Sequence, residues 1–96
     1  MSALGTRLAQ LAAQGETTHY GALARDLGLR VTEVTAELEA MMEEDTALGR
    51  PLRAALVTAR GGAMPARGFF EKAAALGHDI PDPAAFVRAQ RAKLVR

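Results

Sequence analysis

The sequence predicts a mainly α-helical domain with a small β wing, in which a helix-turn-helix spans residues 18–45. Apolar residues recur at helical spacing on both sides of one glycine, Gly28. The link between these two helical patterns is only about three residues long, which forces the helices to cross steeply. A short apolar run at residues 52–58 precedes a glycine-rich segment, as expected for a strand and its loop.

The first helix is predicted from a single apolar stripe near the start of the chain. Its members recur at i, i+4, i+7 and i+8, the spacing of one helix face, and they are Leu4, Leu8, Leu11 and Ala12. Ser2 is the candidate N-cap, and Gly15 is expected to end the helix.

The helix-turn-helix follows a short extended stretch that includes Thr17 and Thr18, the expected N-cap region. The second helix is predicted over residues 19–27, and Gly28 should supply the left-handed turn that ends it. Its inward-facing residues should be Leu23, Ala24 and Leu27. A third helix is expected from about Val31. The residues at helical spacing in it are Val31, Val34, Leu38, Met41 and Met42.

The C-terminal half should contain a wing at residues 52–68, formed by a short hairpin or by a strand with a glycine-rich loop, and one or two helices within 69–96. Pro51 blocks continuation of the third helix, and residues 52–58 predict a strand, followed by a loop at 60–68. Phe69 begins either a return strand or, as the sequence favours, a helix that Gly77 stops. Asp82 before Pro83 predicts the cap and first turn of a last helix. The chain is therefore expected to form one domain over residues 1–96.

Composition limits the function classes. The 96 residues include no cysteine, which excludes disulfides and thiolate chemistry and fits a reducing compartment. We find neither a membrane-span pattern nor a signal-peptide pattern, so a cytoplasmic protein with no membrane partner is expected. The net charge is only +1, but residues 31–49 carry six acidic and no basic residues, whereas residues 50–96 carry nine basic and three acidic residues. The chain thus combines an acidic middle with a basic C-terminal half.

Residues 22–38 resemble the helix-turn-helix of winged bacterial transcription regulators. The resemblance rests on the small Ala24, the turn glycine Gly28, and the apolar Val34 and Leu38. It implies a winged helix-turn-helix fold in which the third helix is the recognition helix. The residues that it would place toward the DNA major groove are Val31, Thr32, Thr35, Ala36 and Ala40.

Two further resemblances are weaker. Residues 18–24 are similar to the opening of the DNA-binding domain of alkyltransferase-like proteins, but the Pro-Cys-His-Arg motif of that family is absent, so alkyl transfer is not implied. Residues 50–57 and 68–77 are similar to a block found in uncharacterised small bacterial proteins. That block implies no function.

The first functional hypothesis is binding of double-stranded DNA by a regulator or accessory module. Thr32, Thr35 and Ala36 would lie near base edges. Backbone phosphates would be contacted by arginines that flank the turn and the glycine-rich loop, namely Arg25, Arg30, Arg60 and Arg67, with Arg53 before the strand. Against this hypothesis, the third helix carries carboxylates and no basic residue. These carboxylates include Glu33, Glu37, Glu39, Glu43 and Glu44.

The alternative hypothesis is a protein-interaction module without DNA binding. Its acidic third helix would meet a basic partner, including the basic last helix of a second copy in a homodimer. That last helix carries Arg88, Arg91 and Arg96 at a spacing that permits a shared face. The interpretation of both helices that involves no binding partner is a solvated charged surface.

Catalysis and metal binding are not expected. His19 and His78 are far apart in sequence, and no nucleophile-and-base pair or phosphate-loop motif is present. His78, Asp79 and Asp82 could supply metal ligands, but Asp82 is better explained as a helix cap. His19 and Tyr20 could touch a phosphate from the start of the second helix, although a packed tyrosine and a solvated histidine are favoured. No cofactor is predicted.

Overall fold

The computed structural model describes residues 3–95, which form five α-helices and a two-stranded sheet. The elements, in chain order, are α1 (Ala3–Gln14), β1 (Thr18–His19), α2 (Tyr20–Leu27), α3 (Val31–Ala47), a 3-10 helix (Arg53–Leu56), β2 (Val57–Thr58), α4 (Arg67–Ala75) and α5 (Pro83–Leu94). The predicted mainly α-helical class with a small β element is confirmed. The predicted cap Ser2 and the basic Arg96 lie outside the described residues.

The apolar stripes of the first three helices form most of the core. All four predicted residues of α1 are buried, as are Leu23 and Ala24 of α2 and three residues of α3. Those of α3 are Val34, Leu38 and Met42. Met41 and Leu27 are half-buried, and Val31 is exposed. Gly28 ends α2 in the left-handed conformation, with φ of 67° and its N–H directed to the last turn, as the sequence predicted.

The start of α2 differs from the prediction by one residue. Thr18 and His19 continue as extended backbone in β1, so the helix begins at Tyr20 and His19 is its N-cap. The imidazole Nδ1 of His19 accepts a hydrogen bond from the Ala22 N–H at 3.1 Å. The threonines are therefore not the cap, because Thr18 pairs with Val57 in the sheet.

The wing region also departs from the prediction. Of residues 52–58, only Val57 and Thr58 form a strand, and β2 runs parallel to β1, with Thr18 opposite Val57 and His19 opposite Thr58. The helix-turn-helix is the crossover that a parallel pair requires. Within residues 3–95 no return strand pairs with β2, so the region forms a strand with a glycine-rich loop and not a hairpin.

Side chains explain why residues 53–56 form a 3-10 helix in place of a strand. The Leu52 N–H donates to Gln90 Oε1 at 2.8 Å, and the Arg53 N–H donates to Asp45 Oδ2 at 3.1 Å. The Ala55 carbonyl accepts from Arg91 Nε at 2.8 Å. These backbone groups already have partners, so a strand ladder is not needed to satisfy them.

The last two helices form as the sequence favours. Phe69 lies in α4, which starts two residues earlier, at Arg67, and is therefore not part of a return strand; Gly77 follows with φ of 99°. Asp82 caps α5 by accepting from the Ala85 N–H at 3.2 Å, and Pro83 occupies its first turn. Within residues 3–95, none of the helices combines the length and apolar character that crossing a bilayer requires.

Candidate nucleic-acid interface

A tight turn presents the N-terminal half of α3. The Leu29 N–H closes on the Ala24 carbonyl at 2.9 Å, and the Arg30 N–H donates to Glu33 Oε1, also at 2.9 Å. The Glu33 carboxylate thus satisfies a free backbone donor at the positive end of the helix dipole. This structural role accounts for one of the carboxylates that count against DNA binding.

The outer face of this half-helix carries the predicted readout residues. Thr32, Thr35 and Ala36 are all exposed, and Val31 retains 48% of its accessible surface. Thr35 Oγ1 donates to the Val31 carbonyl at 3.0 Å. The hydroxyl proton of Thr35 is therefore engaged by its own helix, which leaves the oxygen lone pairs and the methyl group for an outside contact.

Basic side chains neutralise the C-terminal carboxylates of α3. Lys72 of α4 pairs with Glu43, and Arg50 Nη2 lies 2.7 Å from Glu44 Oε1. Asp45 is fully buried and binds Arg53. The acidic surface of α3 is therefore smaller than the sequence suggests. Within residues 3–95, only two of the α3 carboxylates have no polar partner, and these are Glu37 and Glu39.

Arg25 and Arg30 lie on either side of the turn, as predicted. Arg25 is in the last turn of α2, and Arg30 immediately precedes α3. Both residues are exposed, and in the described part of the chain neither side chain takes part in an ion pair. They are the free cations nearest in sequence to the exposed end of α3.

Arg60 and Arg67 occupy different settings. Arg60 is exposed in a loop closed by the Ala59 N–H, which donates to the Met64 carbonyl at 2.8 Å, and Arg91 of α5 binds the Ala63 carbonyl of this loop. Arg67 starts α4, where its side chain is 90% exposed and lies 3.6 Å from Glu71. The loop that carries Arg60 is thus anchored to α5, whereas Arg67 lies near α3.

A mostly apolar cavity of about 200 Å³ lies between α3 and the start of α4. It is lined by Val31 and Thr35 on one side and by Ala66 and Gly68, the two neighbours of Arg67, on the other. The remaining lining residues are Tyr20, Leu38, Glu39, Met42, Ala54 and Phe69. The sequence pattern did not predict this cavity, although exposed residues of α3 are among those that line it.

Several predicted contact residues have internal partners. Arg53 binds Asp45, and Arg91 binds backbone carbonyls, so neither is a free cation for phosphate. Tyr20 is half-buried, and its hydroxyl accepts from the Ala66 N–H at 3.1 Å. Burial raises the pKa of Tyr20, and the Ala66 hydrogen bond partly offsets that rise. His19 is half-buried as a helix cap and is not the solvated side chain that the sequence favoured.

The possible metal ligands near the start of α5 have other roles. His78 Nε2 lies 2.9 Å from Thr46 Oγ1, and its ring meets Phe86 edge-on. Asp82 caps α5. In the part of the chain that the structure describes, no three histidine or carboxylate side chains converge in a group that could hold a metal ion.

Asp45 and Arg91 are the residues whose importance the sequence did not indicate. Asp45 resembles another member of an acidic run, and Arg91 resembles another cation on a solvated helix. Their roles depend on partners 8 and 36 residues away.

Comparison with family models, with curated proteins and with solved structures gives no match for this chain.

Proposed function

We propose that the protein binds double-stranded DNA through the N-terminal half of α3, as a regulator or accessory module of the winged helix-turn-helix type. The observation that carries the proposal is the exposed strip of Thr32, Thr35 and Ala36, flanked by the free cations Arg25 and Arg30. Hydroxyl and methyl groups suit base edges in the major groove, and arginines suit phosphates.

The internal ion pairs support this proposal. Since Glu43, Glu44 and Asp45 are matched by Lys72, Arg50 and Arg53, these three carboxylates add little net repulsion toward a polyanion, and Glu37 and Glu39 are the unpaired acidic groups of α3. Arg67, beside the cavity, can reach a phosphate on the flank of the same groove. Arg60 would contact the backbone from its loop, as the sequence predicted.

A salt series on a mixed-sequence duplex tests the proposal. Fluorescence anisotropy at low ionic strength should detect binding that weakens steeply as salt rises. Arg25→Ala and Arg30→Ala should each weaken binding and reduce the slope of log K against log salt by about 1. Arg88→Ala, which removes the same charge from α5, is the matched control. Absence of binding at low salt, or equal losses in the control, contradicts the proposal.

A second candidate function is docking of a basic protein partner. The observation that favours it is the pair of partnerless carboxylates, Glu37 and Glu39, on the helix that also exposes Val31. The hypothesis of a homodimer has less support than the sequence suggested, because Arg91 of the basic helix α5 already binds a backbone carbonyl of its own chain. Sedimentation at rising protein concentration tests it: a strict monomer counts against a homodimer, and Glu37→Lys should abolish any dimer that forms through this face.

A further inference from the structure

The cavity between α3 and α4 contains apolar surface that the proposed DNA contacts do not use. Its walls are the side chains of Leu38, Met42 and Phe69, with the ring of Tyr20 beside them. Leu38, Met42 and Phe69 are themselves buried, so they belong to the hydrophobic core and hold the cavity in shape. The cavity is therefore part of the packed structure and not a gap between mobile side chains.

The charge beside the cavity favours a ligand that carries a positive group. The Thr35 hydroxyl donates its proton to the Val31 carbonyl, so its oxygen is left to accept a hydrogen bond. Glu39 is the only charged residue among those that line the cavity, and within residues 3–95 its carboxylate has no partner. A carboxylate beside apolar walls attracts a cation and repels an anion.

The size of the cavity limits the ligand. This cavity measures about 200 Å³ and is open to solvent on one side, and an enclosed apolar cavity of about 150 Å³ accommodates benzene. One six-membered ring with a short substituent therefore fits. Tyr20 and Phe69 add aromatic surface, which also attracts an organic cation.

We propose that this cavity binds a small organic cation, in which an aromatic or alkyl body lies against Leu38, Met42 and Phe69 and an ammonium group pairs with Glu39. The ligand is a free small molecule and not a side chain of a partner protein. The cavity shares Val31 and Thr35 with the proposed DNA-binding face of α3, but the ligand contacts that carry this proposal are Glu39 and the apolar walls, so the proposal does not depend on DNA binding.

Benzylamine and benzyl alcohol are the test pair, because they share a ring and differ in the group that would meet Glu39. Binding of each to the full chain is measured by two-dimensional NMR at neutral pH. Benzylamine should bind about fivefold more tightly, the upper range for an ion pair with an exposed carboxylate. The amides that shift should be those of the cavity walls, such as Leu38 and Phe69.

Three variants separate the contributions. Glu39→Gln should reduce benzylamine binding about fivefold and leave benzyl alcohol within about twofold. Glu37→Gln, a matched change at a residue of α3 that does not line the cavity, should leave both unchanged. Gly68→Leu should abolish binding of both, because Gly68 lines the cavity and a Cβ there meets no atom within 4 Å, so the helix should tolerate it.

The proposal fails if neither probe binds, or if the wild-type protein binds benzylamine and benzyl alcohol equally. It also fails if Glu37→Gln costs as much as Glu39→Gln, or if Gly68→Leu leaves binding intact in a protein whose NMR spectrum shows it folded.

Discussion

Arg53 donates its Nε–H to both carboxylate oxygens of Asp45 at 3.0 Å, and this carboxylate is fully buried near the end of α3. The Arg53 backbone N–H binds the same carboxylate at 3.1 Å. The hydrogen bond that Arg53 donates to Asp45 is the main cause of the raised pKa of Arg53, although partial burial opposes it. The pair fixes the 3-10 helix against α3 and so sets the position of β2.

Replacing Asp45 by asparagine should destabilise the fold strongly. The change leaves the partly buried Arg53 with only the exposed Glu44 as a counter-charge, and breaking a buried pair costs about 3 kcal/mol. Urea unfolding followed by circular dichroism measures the loss. Glu44→Gln is the control, since its exposed ion pairs contribute less than about 1 kcal/mol. Equal losses in the two variants would show that Asp45 has no special role.

Arg91 connects α5 to two other segments, with Nε on the Ala55 carbonyl at 2.8 Å and Nη2 on the Ala63 carbonyl at 3.0 Å. A lysine there has no rigid fork and cannot serve both carbonyls in the same geometry. Arg91→Lys should cost about 1–2 kcal/mol and should speed amide exchange at Gly62, whose N–H closes the loop turn. Arg88→Lys is the control. Unchanged exchange at Gly62 would mean that Arg91 does not hold the loop.

Tyr20 should titrate above the ordinary tyrosine value of about 10, because burial raises its pKa. It is the only tyrosine of the chain, so phenolate absorbance reports it alone. The folded state binds the phenolic proton more tightly, so this contribution to stability is complete below the unfolded pKa and is lost as pH rises through the folded one. A titration with the same midpoint in buffer and in concentrated urea would contradict the burial.

The His19 cap should contribute about 1 kcal/mol to stability, the usual effect of an N-cap side chain. His19→Ala removes the acceptor of the Ala22 N–H, whereas His19→Asn supplies another one at this position. Thermal unfolding should therefore rank wild type and His19→Asn together, with His19→Ala below them. If His19→Asn is as unstable as His19→Ala, the imidazole contributes by packing and not as a cap.

Local patterns predicted the helices well. The i, i+4 and i+7 leucines of α1, the left-handed Gly28 and the Asp82-Pro83 start of α5 each depend on contacts within one helix or its caps, which the sequence encodes directly. The predicted readout residues Thr32, Thr35 and Ala36 are exposed for the same reason, since none of them belongs to the buried apolar stripe of α3.

The features that the sequence did not predict depend on contacts between residues that are far apart in the chain. Residues 52–58 have the apolar, β-branched character of a strand, but Gln90, Arg91 and Asp45 bind their backbone groups and hold residues 53–56 as a 3-10 helix. The acidic run of α3 looked like one solvated face. Its division into paired and partnerless carboxylates depends on Lys72 and Arg53, which only the fold brings close.

An NMR titration of labelled protein with a mixed-sequence duplex at low salt tests DNA binding through α3 most directly. We expect the amides of Thr32, Thr35 and Ala36, together with those of Arg25 and Arg30, to shift most, and added salt to reverse the shifts. A spectrum that the duplex leaves unchanged, or shifts confined to α1 and α5, would contradict DNA binding through α3.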